Sequence, residues 1–68
     1  MTTQDIEARI AAIAERVRDR DNESAHALED ELYVAFIRHV AQTTSPPLSD
    51  MARRVLDVHA MRFSRWYA

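Results

Sequence analysis

The side chains from which chemistry could be built here are three histidines, eleven carboxylates and nine arginines, in a chain of 68 residues without cysteine. The densest grouping is HALEDELY, residues 26–33, where His26 precedes Glu29 and Asp30 by one helical turn. On a helix that spacing stacks an imidazole and a carboxylate on one face, as a pair of metal ligands requires. His39 and His59 fall near apolar faces and offer further nitrogen ligands if they converge. A single His–carboxylate pair is common by chance, however, and the carboxylate-rich helix pairs of di-iron bundles are absent. The lack of cysteine excludes thiolate zinc sites. The expectation is no metal and no cofactor. Catalysis has still less support. Asp30 and Glu31 are adjacent, so a helix points them in different directions, and no serine has the setting of an activated nucleophile. Glycine is absent, which removes phosphate-cradling loops. We therefore expect a non-enzyme with no small-molecule substrate.

Glu29 poses a different problem. On a helical wheel it lies between Leu32 and Phe36 on one side and Tyr33 on the other. A bare carboxylate among such neighbours is costly and calls for a cationic or hydrogen-bonding partner. The C-terminal segment supplies Arg62 and Arg65 beside Phe63 and Trp66. The expectation is a structural ion pair in which Glu29, helped by Asp30, meets Arg65 or Arg62, with the aromatic rings excluding water. His26 is placed to hydrogen-bond either acid.

These side chains need helices to position them, and the sequence offers three. With no glycine and only the adjacent Pro46 and Pro47, hairpin turns are removed and an all-α chain is expected. The first helix is expected from about Thr3 to Arg20, capped by Thr2 or Thr3, with Asp5 and Glu7 at the positive end of its dipole. Ile6, Ile10, Ile13 and Val17 form a stripe narrower than an ordinary core face and closer to a coiled-coil seam. Polar residues 18–24 then break the chain, with Asp21, Asn22 or Ser24 capping the second helix. Lacking glycine, the first helix has to end in a non-ideal way. The second helix, about Glu23 to Gln42, carries Ala25, Leu28, Leu32, Tyr33, Phe36, Ile37 and Val40 and is expected at the centre of the core, with Val34 exposed. Residues 43–47 end it. The third begins at Pro46, capped by Ser45, or near Asp50, capped by Ser49, and runs to Ala60. Its apolar side chains include Leu48, Met51, Ala52, Val55, Leu56 and Val58. The aromatic tail, Met61 to Ala68, is expected to dock across a small three-helix bundle that forms a single domain over residues 1–68.

Charge is uneven. Residues 1–34 carry nine acids and four arginines, net −5, and residues 35–68 two acids and five arginines, net +3, which together give the formal −2. The simplest use is attraction between the halves, or between two copies. A basic patch is the alternative use. Residues 52–66 can be read loosely as a helix-turn-helix, with Leu56 and Val58 bracketing a turn, Phe63 buried, and Arg53, Arg62, Ser64 and Arg65 available to DNA. Asp57 stands where the turn glycine belongs, and Arg53 replaces the small residue of the first helix, with Ala52 one place early. Four arginines make only a modest phosphate-binding face in an acidic chain.

The H-x-x-E-D-x-L-Y stretch, His26 to Tyr33, together with the terminal F-S-R-W-Y-A, resembles small proteins encoded by bacteriophages of actinobacteria. The lysine-free, alanine- and arginine-rich composition suits that origin. The resemblance rests on two short stretches and implies a source and a size class, and no activity.

A chain of this length buries only about 60 % of its unfolded surface, and small domains usually compensate with disulfides, metals or partners. The stripe of Ile6, Ile10, Ile13 and Val17, with Met51, Met61, Tyr33, Trp66 and Tyr67, exceeds what such a monomer hides. The preferred reading is non-catalytic protein–protein interaction, as a homodimer or on a host protein if the phage origin holds. The start lacks a basic leader and no apolar run approaches a membrane span, so a cytoplasmic location without membrane contact is expected. A small DNA-binding regulator using residues 52–66 is the alternative.

Overall fold

The computed structural model describes residues 1–64. They form three helices, α1 (Thr3–Arg18), α2 (Asn22–Thr43) and α3 (Leu48–Ala60), so the fold is all-α as the composition and periodicity required. The chain divides into two compact units whose boundary falls inside α2. One is Met1–Leu32, holding α1 and the first half of α2; the other runs from Tyr33 onward and holds the second half of α2 with α3.

Within the first unit, α1 starts on a capping box. The Thr2 hydroxyl accepts from the Asp5 amide at 3.1 Å, and the Asp5 carboxylate accepts from the Thr2 amide at 2.9 Å. Two otherwise orphaned donors are satisfied reciprocally. Those bonds, the backbone one foremost, hold the Asp5 carboxyl below its ordinary value of 3.8. The helix ends at Arg18 rather than Arg20, because Arg20 adopts a left-handed backbone with φ of 59°. The Asp21 amide then reaches back to the Arg16 carbonyl at 2.9 Å and the Arg20 amide to Val17 at 3.1 Å. This is the closing pattern usually given to glycine, made here by an arginine at some conformational cost. Asp21 in turn caps α2: its carboxylate accepts from the Ser24 amide at 3.2 Å. Hydrogen bonds from the Ser24 side chain and then its backbone lower the Asp21 carboxyl below 3.8.

In the second unit, α2 has no basic residue in its last turn, yet its terminal carbonyls find donors. The Thr43 hydroxyl donates to the His39 carbonyl at 2.8 Å and the Thr44 hydroxyl to Val40 at 2.7 Å. The Arg53 guanidinium of α3 donates to the Ala41 carbonyl at 3.1 Å. The two hydroxyls add a second donor, since the Val40 carbonyl already takes the Thr44 amide at 3.2 Å, whereas Arg53 satisfies an acceptor that the end of the helix leaves open. Neither cap expected for α3 forms. Pro47 occupies the cap position with helical dihedrals and no side-chain bond, and Ser49 lies in the first turn, 2 % exposed. The amide of Ser49 bonds to the Ser45 carbonyl and that of Met51 to Pro47, which carries the chain into the helix without a hydroxyl cap.

Among the described residues the fully covered side chains are small: Ala25, Ala41, Ala52 and Ser49. α2 is the most covered of the three helices, as expected, but not all of its expected core face is covered. Tyr33 and Phe36 on it are exposed, at 57 % and 48 %. Val34, expected to be exposed, is half-buried. It shares the 3–4 spacing of Ile37 and Ala41 and so lies on the same side of α2 as that buried alanine.

Candidate interaction surface

The acid that motivated a buried ion pair is not buried. Glu29 is only half-covered, with 45 % of its side chain exposed, and its Oε1 lies 3.8 Å from Nδ1 of His26 within α2. That separation is too long for a hydrogen bond and is an ion pair only when the imidazole is protonated. Partial exposure of Glu29 reduces the desolvation penalty on which the expected pairing with Arg62 or Arg65 was argued. Arg62 is exposed and lies past the end of α3. The pairing with Arg65 lies outside the described residues, as do the Trp66 and Tyr67 contributions to the expected surface. Asp30 is half-buried beside Glu29.

The histidines do not assemble a metal centre. His39 is half-buried and His59 exposed; on the α2 wheel His39 falls opposite Ala41, on the side turned from α3. Among the described residues no group of three or more histidine, aspartate or glutamate side chains is placed to hold a metal ion.

The helix-turn-helix expectation is corrected by the backbone. Leu56, Asp57 and Val58, the supposed turn, lie inside the uninterrupted α3, because nothing at Asp57 breaks its hydrogen-bond ladder. Met61 leaves the helix in an extended conformation, and Arg62, Phe63 and Ser64 are non-helical, so the described part of the supposed recognition helix is not one. The arginines of α3 are already engaged. Arg53 contacts Asp50 at 3.3 Å as well as the Ala41 carbonyl. Arg54 contacts Asp57 at 2.7 Å.

What the chain does present is apolar surface. On α1, Ile10 and Val17 are exposed while Ile6 and Ile13 are half-buried, and no residue of that helix is fully covered. The larger feature is on α3. Leu48, Met51, Val55 and Val58 recur at spacings of 3, 4 and 3, and all four are exposed, Met51 most at 60 %. At about 100° per residue they fall in an arc of roughly 80°. The side chains α3 buries are Ser49 and Ala52, on a different arc. Ser49, Ala52 and the half-buried Leu56 thus lie on the inward arc, while four other apolar side chains of α3 face outward, more than a helix that only closes a core would expose. Periodicity alone places all of these in one apolar face. The available signal was the split into a small-residue arc and a heptad-like arc, since an alanine–serine contact permits close approach but covers little.

Neither a family profile, a curated protein nor a solved structure matches this chain. Among the described residues no helix is long and apolar enough to cross a membrane.

Proposed function

We propose that this is a non-catalytic association module, acting in the cytoplasm through its exposed apolar surface and binding protein, in the first instance another copy of itself. The reading is carried by one contrast. Among the described residues the buried ones are three alanines and a serine, while Leu48, Met51, Val55, Tyr33 and Phe36 stand about half in water. Fully burying a Val, Leu or Met side chain contributes about 1.5–3 kcal/mol, so each half-covered one forgoes about 1 kcal/mol. A short chain without disulfides has few other sources of stability, and a covering partner restores this one. If the chain is phage-encoded, as its two short stretches resemble, a host protein is the other occupant of the same surface.

Sedimentation equilibrium over a wide concentration range tests the reading. The expected result is a mass above the 7.9 kDa of one chain. A monomer at every concentration would remove self-association.

A further inference from the structure

We propose that α3 is the self-association helix, and that its stripe of Leu48, Met51, Val55 and Val58 packs antiparallel against the same stripe of a second copy. This rests on the self-association reading above and goes further by fixing the surface, the direction and the register.

The spacing itself is the first argument. The intervals 3, 4, 3 read the same in both directions. An isologous two-fold interface requires that if residue i meets residue j, then j meets i. With the axis between Met51 and Val55, Leu48 lies opposite Val58 of the second copy and Met51 opposite its Val55. Each large side chain then meets an apolar one, with none left facing a charge. A narrow stripe of this periodicity is the kind that packs as a helix–helix seam.

The second argument is charge. Asp50, Arg53, Arg54 and Asp57 sum to zero on α3, and each arginine already has an acid one turn away. Two identical surfaces therefore meet without net repulsion, whereas a polyanion would find its arginines engaged. In the proposed register the outer flank of one helix faces the same flank of the other. Arg54 then falls about 3 Å along the axis from Asp50 of the second copy, near enough for its long side chain to bridge the seam.

Area is the third. A short connection brings α3 back to α2, where Arg53 holds the Ala41 carbonyl and Ala41 and Ala52 are covered. On the wheels of two antiparallel neighbours, Tyr33 and Phe36 fall on the side that carries the α3 stripe. Six half-exposed apolar side chains present roughly 600 Å² per copy, so a pair covers at most about 1,200 Å², which leaves room to reach the roughly 1,000 Å² that a specific interface needs. The inward Ser49 and Ala52 stay on α2, so dimerisation needs no unfolding of the hairpin.

The experiment uses the whole chain with Val55→Glu, in the middle of the stripe, and Ile10→Glu, on the exposed face of α1. Sedimentation equilibrium is run beside circular dichroism. The expected result is that Val55→Glu weakens association about a hundredfold or more with helicity retained, while Ile10→Glu associates like the parent. Association unaffected by Val55→Glu but lost in Ile10→Glu would overturn the α3 assignment and leave self-association standing. A monomeric parent would overturn both. Should Val55→Glu fail to fold, cysteine pairing decides, since the chain has no cysteine of its own. Mixed Met51→Cys and Val55→Cys chains should cross-link about tenfold faster than either alone, because only the mixed pair has Cβ atoms within disulfide reach. Faster linking of Met51→Cys to itself would overturn the antiparallel register.

Discussion

Asp21 closes one helix and opens the next. Its amide completes the turn that ends α1, and its carboxylate caps α2 through Ser24. Arg20, beside it, carries the cost of that arrangement in its left-handed backbone. Replacing Arg20 with glycine removes a steric penalty of roughly 1–2 kcal/mol and gives back part of it as unfolded-chain entropy. Arg20→Gly should therefore raise stability by about 0.5–1 kcal/mol in denaturant unfolding. Losing the other cap, with Thr2→Ala, should lower it by about 1 kcal/mol in the same assay. Asp5 and Asp21 also set an acid response. Both carboxyls titrate below 3.8 in the folded chain, so their contribution is complete above that pH and is lost as the pH falls through the lowered values. Asp21→Asn, which keeps a capping oxygen but cannot titrate, should flatten the fall of melting temperature below pH 3.8. An unchanged slope would mean that Asp21 does not contribute to it. Asp21 was legible as one of three candidate caps, since its residue type and the polar break around it are local signals. Arg20 was legible only as the need for an irregular ending without glycine. The partial exposure of Glu29 was not legible, because a wheel places a side chain among neighbours without showing that Tyr33 and Phe36 are themselves about half in water.

At the level of elements, three helices and both breaks were legible from periodicity, the missing glycines and the proline pair. The caps of α3 were not, because Ser45 and Ser49 are both plausible by type, and the choice depends on how the backbone enters the helix. The tie between α3 and α2 was equally hidden. Arg53 looked like a DNA contact, yet it spends its guanidinium on Asp50 and on the Ala41 carbonyl twelve residues earlier. Arg53→Ala should destabilise the chain by about 1 kcal/mol, a modest value because the side chain is well exposed. Amide exchange should quicken most in the last turn of α2 and the first turns of α3. Arg53→Lys should rescue only part of this, since an ammonium lacks the fork that spans two acceptors. Uniform acceleration across α1 as well would argue that Arg53 acts globally and is not a local tie between these two helices.

Across the described chain, the expected surplus of apolar surface included the α1 stripe with Met51, Met61 and Tyr33; Ile10, Val17, Met51, Met61 and Tyr33 are exposed, and the structure adds Leu48, Val55 and Val58 of α3. That addition was illegible because an amphipathic pattern reports that a face is apolar, not what covers it. With only alanines and a serine buried among the described residues, folding and association should be linked, the folded chain drawing stability from its partner by mass action. The most direct measurement is the melting temperature followed over a wide range of protein concentration. The account predicts a steady rise with concentration, lost in Val55→Glu; a melting temperature independent of concentration, in a chain that sediments as a monomer, would contradict it.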